Sequence, residues 1–164
     1  MTNTLSENKL GDKNEQLLVF TNVIKLIATQ TSSNGQYSIF EESVPPLGGP
    51  PPHKHMDEEV FYILEGEFEF VLNDLASPFK VLPGSVIHVP SNALHTFKNV
   101  GNKMGKMIVI ITPGQLEQYF KKVGTPLQEL TKMPNLNVVP DITKLDVAAA
   151  FKYAPDYGVE FLIP

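Results

Sequence analysis

Gly49–Pro50–Pro51–Pro52–His53–Lys54–His55–Met56–Asp57–Glu58–Glu59–Val60–Phe61–Tyr62–Ile63–Leu64–Glu65–Gly66 decides the reading of this chain. The prolines can be neither helix nor central strand, because each lacks a backbone donor and fixes φ. After them, His53 and His55 stand two residues apart. Extended chain alternates its side chains, so residues i and i+2 share a face, and Glu59 keeps that parity two steps further on. Two imidazoles and a carboxylate are thereby aimed the same way, which is the raw material of a two-His-one-carboxylate metal site. His95, on a later predicted strand, offers a fourth ligand. The remaining histidine is His88.

Outward from this stretch the chain reads as short strands separated by turns. Residues 60–64 and 68–72 are apolar runs split by Glu65–Gly66–Glu67, and Gly66 is free to take positive φ, which predicts a hairpin. Strands are predicted over 79–82, 85–89, 94–99 and 103–112, punctuated by Pro83–Gly84, Pro90–Ser91–Asn92 and Gly101–Asn102. Before the prolines, 36–44 reads as strand. Residues 17–29, rich in Val, Ile, Leu and Thr, read as one strand or as two around Asn22. Many short strands with turns every 8–12 residues mean a sandwich or barrel. At Thr112 the pattern changes. Thr112–Pro113–Gly114–Gln115 reads as a capping box with proline at the first helical position, and Leu116, Tyr119, Phe120 and Val123 then recur at helical spacing. Thr125–Pro126–Leu127–Gln128 repeats the cap, and Asp141 is placed to cap a third helix running to about Tyr153. The apolar tail from Gly158 is expected to dock on the barrel. The organisation read is a flexible arm over 1–16, a barrel over 17–112, and a helical extension over 113–164 packed on it.

Composition narrows the function classes. The 164 residues are 42% hydrophobic and 19% charged, with a formal net charge of −5, which suits one globular domain with its own core. No basic run is present, so nucleic acid is not an expected partner. There is no cysteine, which excludes disulfides, thiolate ligands and a cysteine nucleophile. No stretch approaches the ~18 apolar residues of a membrane span, and residues 1–16 lack the apolar centre of a signal peptide. The expected location is the cytoplasm.

Two segments of the chain resemble the cupin family. The stretch from Gly49 to Gly66 is similar to the first cupin motif, with three residues between His55 and Glu59 and six between Glu59 and Gly66. The stretch from Pro83 to Asn99 is similar to the second, with Gly84, Pro90, His95 and Asn99 in place. Two positions depart from the pattern. Leu47 stands where the first motif has its leading glycine, and Asn92 replaces the second glycine of the second motif. Asparagine also tolerates the left-handed backbone, so that turn can survive. The resemblance implies an all-β jelly-roll barrel with short C-terminal helices, and a metal held in its mouth by His53, His55, Glu59 and His95. Imidazole and carboxylate donors suit one divalent transition ion, Fe, Mn, Ni, Cu or Zn, without selecting among them, and leave about two octahedral positions open.

The Pro-Pro-x-His-x-His entry, Glu59 and the helical tail resemble small cupins similar to quercetin dioxygenase. That likeness implies an enolic or small aromatic substrate, dioxygen as second substrate, and Glu59 as ligand and general base. Alternation places Phe61, Ile63 and Phe97 on the ligand face, where they are either an apolar substrate pocket or ordinary core. His88 either lines that pocket or satisfies a backbone group. Two other functions stay open: a non-enzymatic cupin that binds or senses a small molecule through its metal, and a metal-dependent isomerase, decarboxylase or lyase. The apolar segment 17–29 would make a long sheet edge that tends to be covered, so a homodimer is expected.

Overall fold

The computed structural model describes residues 15–145 and 147–162. Most of the arm read over residues 1–16 therefore lies outside the described residues, as does the end of the tail. In chain order the strands are β1 (Gln16–Val19), β2 (Asn22–Ala28), β3 (Ser38–Val44), β4 (His53–Lys54), β5 (Glu58–Glu65), β6 (Phe68–Leu72), β7 (Phe79–Val81), β8 (Val86–Val89), β9 (His95–Asn99) and β10 (Gly105–Thr112). Helix α1 (Leu116–Val123), strand β11 (Thr125–Pro126), helix α2 (Ala148–Tyr153) and strand β12 (Glu160–Phe161) follow. The strands form two antiparallel sheets, one ordered β11-β1-β2-β3-β10-β5-β8 and the other β12-β4-β9-β6-β7. Their inner faces enclose one core. This is the jelly-roll arrangement, which folds two sheets together and leaves few free edges.

Alternation sets which residues look inward. On β5, Glu59, Phe61 and Ile63 are buried, while Glu58 and Tyr62 are exposed. Their partners on β10 are Ile111, Val109 and Met107, and β10 in turn sets Ser38, Phe40 and Glu42 of β3 beside the same residues. The opposite sheet contributes His95, Phe97 and Asn99 from β9, with Phe97 in register with Phe70. Phe61, Phe70 and Phe97 meet with ring centroids 5.3–5.8 Å apart, an aromatic cluster spanning both sheets.

The structure departs from the sequence reading at four places. Glu65–Gly66–Glu67 is not a hairpin: β5 and β6 lie in different sheets, so the chain crosses from one to the other there. Gly66 does take positive φ, at 91°, and a Cβ on it would lie 2.8 Å from the Cα of Gly105. Second, Thr112 does not cap α1, because its hydroxyl donates to the carbonyl of Gln36 at 2.9 Å. The helix begins at Leu116, whose N–H is accepted by the buried carboxylate of Asp57 at 2.6 Å. The capping acid came from the distant bend between β4 and β5, so local spacing could not show it.

Third, Thr125–Pro126 opens no α-helix. It pairs with β1 and leads into a single 3-10 turn at Leu127–Glu129. The edge of β1, read as a place for a second copy, is thus covered within the chain itself. Fourth, Asp141 caps only a 3-10 turn at Ile142–Lys144, accepting from Thr143 N at 3.2 Å, and α2 starts separately. Glu117 of α1, which spacing would place in water, is wholly buried. It accepts from Gln30 N at 2.7 Å and from the Ser38 hydroxyl, and meets Lys121 at 2.8 Å. These bonds and the Asp57 cap fix α1 across one end of the barrel.

Both departures from the family pattern sit in left-handed backbone, Leu47 and Asn92 each at φ 60°. Asn92 carries this cheaply, whereas Leu47, largely exposed, strains the turn by about 1–2 kcal/mol. Replacing Leu47 by glycine is therefore expected to stabilise the fold by up to about 1 kcal/mol, after the glycine's own entropy cost. A Leu82→Gly control in an exposed position outside the left-handed region should lose stability instead. Urea denaturation midpoints check both.

Candidate metal centre

β4 and β9 are neighbours, and their one register pair sets His53 opposite His95. His55 follows at the corner where the chain leaves β4 for β5, and Glu59 enters from β5. The parity of His53, His55, Asp57 and Glu59 survives this corner, and all four are buried. The ligand atoms of His53, His55 and His95 lie within 4.8 Å of one another. Glu59 Oε2 is 2.9 Å from His95 Nε2 and 3.5 Å from His55 Nε2.

The backbone decides which nitrogen of each ring is free. His53 Nδ1 donates to the Pro51 carbonyl at 2.8 Å, and His95 Nδ1 to the Ala93 carbonyl at 2.9 Å. A carbonyl only accepts, so Nδ1 carries the proton in both rings and Nε2 presents its lone pair. Metal-ligating histidines are oriented in this way. Neither His95 Nε2 nor either nitrogen of His55 makes a hydrogen bond among the described residues, although all are buried. Buried polar atoms left unpaired are costly. A cation among them would remove that cost, and a donor set of imidazoles with a carboxylate suits a divalent transition ion.

The electrostatics agree. Burial, reinforced by the neighbouring His95, pushes His53 down to about 3, so it is neutral and able to ligate. Burial also pulls His55 down, but Glu59 beside it outweighs this and holds it above its ordinary value. Burial would raise Glu59, yet the imidazoles of His55 and His95 hold it below the usual carboxylate range. The cluster thus sets an ionised carboxylate beside imidazole nitrogens, a donor set that a cation would complete.

The cluster opens on a cavity of about 50 Å³. Its walls include Phe40, Phe61 and Phe97 from the barrel, Leu116, Tyr119 and Phe120 from α1, and Val159 and Phe161 from the tail. Glu42 also lines it, the one carboxyl there besides Glu59 among the described residues.

Residues 40–111 match the cupin domain family. Those residues are a cupin domain. The chain is 26% identical over 115 residues to quercetin 2,3-dioxygenase of Bacillus subtilis (strain 168), an alignment covering 70% of this chain and 33% of that enzyme. It is 32% identical over 84 residues to auxin-binding protein 1 of Arabidopsis thaliana, covering 47% of this chain and 42% of that protein. The cupin therefore spans between a third and somewhat under half of the length of these two relatives. The polyketide cyclase RemF from Streptomyces resistomycificus superposes with a TM-score of 0.56 at 19% identity, over 84% of this chain and 92% of that one. At that identity the likeness concerns the fold alone. No helix among the described residues of this cupin is long and apolar enough to cross a membrane.

The residues singled out from the sequence are not all brought to the cavity. Phe61 and Phe97 line it. Ile63 is buried in the core one step further along β5 and does not. His88 lies on the outer face: Val89, not His88, is in register with Glu59. Its exposed ring is 3.1 Å from Glu58, so it takes no part in the pocket. Glu42, Asp57 and Phe161 were missed. Asp57 shares the parity of the ligands and was legible on that ground. Glu42 was masked by Glu41 beside it, since two adjacent acids reveal no inward face. Phe161 reaches the site only because β12 pairs with β4, setting Phe161 opposite His53.

Two outcomes are expected. Plasma mass spectrometry should find about one divalent transition ion per chain, lost in His53→Ala and His95→Ala. Stability should also depend on pH through Glu42. Burial raises its carboxyl from 4.5 to about 7, although Asn22 opposes this. The native state then binds a proton more tightly than the unfolded one, so this contribution is complete below pH 4.5 and is lost as pH rises through 7. In chelator-stripped protein, Glu42→Gln should flatten that decline in thermal midpoint.

Proposed function

We propose that this cupin is a metal-dependent dioxygenase acting on a small aromatic or enolic substrate. One observation carries the reading: the imidazole–carboxylate cluster opens on an aromatic-walled cavity that contains no cationic side chain. No lysine among the described residues lines that cavity, and the sequence contains no arginine. Sugar phosphates and small dicarboxylates are gripped by such cations, so isomerase, decarboxylase and lyase chemistry on those substrates is disfavoured. A flat, neutral enol suits the walls. The relationship to quercetin 2,3-dioxygenase over most of this chain supports the same class.

His53, His55 and His95, with Glu59, would hold the ion, which when bound acidifies an enol hydroxyl and brings dioxygen and substrate together. Glu59 takes the enol proton, its carboxylate being ionised and within reach of the cluster. The rings of His53 and His95 are held in orientation, because their Nδ1 atoms are committed to the carbonyls of Pro51 and Ala93. Phe61 and Phe97 form the flat wall, and Leu116, Tyr119 and Phe120 of α1 exclude water. The cavity as it stands has room for a few water molecules. A ring enters when the wall formed by Val159 and Phe161 gives way. This wall is held by the short β12–β4 pairing, by Leu162 N donating to the Pro52 carbonyl at 2.8 Å, by the Lys54–Glu160 ion pair at 3.1 Å, and by the Phe161 ring packing on Phe20 and Phe151.

That closed wall favours a second reading, a metal-anchored binding protein that encloses its ligand without turning it over. Oxygen uptake separates the two. Protein loaded in turn with Fe, Mn, Ni and Cu, and given a flavonol or a simpler aromatic enol, should consume dioxygen in step with substrate loss. Glu59→Gln should slow this by about 10²–10⁴-fold, the usual contribution of a general base. A spectral change on binding with no oxygen uptake under any metal would establish the binding protein instead.

A further inference from the structure

One carboxyl in the cavity is not used by the metal cluster. Glu42 is 7% exposed and lines the same cavity as His53, Glu59 and His95. Its Oε1 accepts from Asn22 Nδ2 at 2.7 Å. Asn22 Oδ1 accepts in turn from the Thr21 hydroxyl at 2.8 Å, and Thr21 Oγ1 accepts from Gly49 N at 3.4 Å. The chain of bonds runs into the loop ahead of His53 and fixes one oxygen of Glu42. The other oxygen, Oε2, accepts no hydrogen bond among the described residues.

A brace would not be built in this way. A buried carboxyl that faces one neutral donor and no cation costs stability, and a glutamine would hold Asn22 equally well. The position is also informative. On β10, Met107 is the partner of Glu42 and Ile111 the partner of Glu59. The two carboxyls therefore reach the cavity from levels four residues apart along β10, about 13 Å of strand. Between those levels the lining is aromatic and aliphatic, with Phe40 and Phe61 both paired to Val109.

We propose that Glu42 is the second polar anchor of the cavity, orienting a bound ligand by accepting a hydrogen bond from a hydroxyl remote from the histidine cluster. This rests on the reading of the cavity as a substrate chamber, and it names the ligand class more closely. The ligand is a flat, largely apolar molecule with one oxygen for the metal and a second hydroxyl at its far side. A carboxylate or phosphate at that side is rejected by like charge. Asn22 is a positioning residue, since it holds Oε1 and leaves Oε2 to the ligand.

The test uses the full chain loaded with nickel and two probes, 3-hydroxyflavone, which carries only the enol, and quercetin, which adds ring hydroxyls away from it. Absorption titration at pH 8, above the raised titration of Glu42, should show quercetin binding about tenfold more tightly or better, as expected for a hydrogen bond to a charged acceptor. In Glu42→Met the preference should fall to about twofold or less, with nickel content unchanged and the affinity for 3-hydroxyflavone kept. A preference that survives in Glu42→Met overturns the proposal. Glu42→Gln, which keeps the bond to Asn22, supplies an independent arm at pH 7.5. A thermal midpoint at or above that of the wild type supports the anchor, and a fall of about 5 °C or more marks a structural brace and overturns it. If neither flavonol binds the loaded wild type, flavonols are not its ligand, and the Glu42→Gln midpoint alone decides the role of Glu42.

Discussion

The cluster of His53, His55, His95 and Glu59 places more polar atoms in one dry spot than the protein can satisfy by itself. His95 Nε2 and both nitrogens of His55 are buried without hydrogen bonds among the described residues, and an ionised Glu59 stands 2.9 Å from His95. Such a constellation loses stability in a metal-free barrel and recovers it when a cation supplies the missing partner. Much of the surrounding structure holds it in this condition. The prolines deliver His53 at a fixed angle, carbonyls of Pro51 and Ala93 orient two rings, and the register of β4 with β9 brings two strands of ligands together.

The same constraint explains the C-terminal elements. A polar cluster at the mouth of a barrel remains dry only if something covers it. Asp57 lies between His55 and Glu59 in sequence and accepts the first N–H of α1, so the lid is bonded to the corner of the chain that carries the cluster. Glu117 fastens the other side of that helix to β3 and to Gln30. The tail completes the cover by adding β12 to β4 and setting the Phe161 ring 5.7 Å from that of His53. A change at the site and a change in the lid are therefore mechanically linked through β4 and Asp57.

The chemistry follows from what the walls lack as much as from what they contain. Aromatic rings, a second carboxyl and no cation among the described residues are what support the proposal of a neutral flat ligand. The jelly roll itself says nothing of this, because the same barrel carries unrelated activities. The discriminating information lies in the inward residues of β3, β5 and β9 and in the two segments that close the mouth.

The sequence by itself determined the barrel, the candidate ligand set and its common orientation. Those rest on strand alternation and on spacings within two short motifs, which are local properties of the chain. The left-handed turn at Asn92 was legible for the same reason. Tertiary structure decided the rest. Which strands pair could not be read from short apolar runs, so β5 and β6 looked like a hairpin although they lie in different sheets. The cap of α1 came from Asp57, fifty-nine residues away, and the threonine expected to cap it was bonded elsewhere. His88 fell on the outer face because its neighbour Val89 took the register opposite Glu59. Glu42 and Phe161 joined the site only once the sheets closed, since proximity across a barrel is set by register and not by distance along the chain.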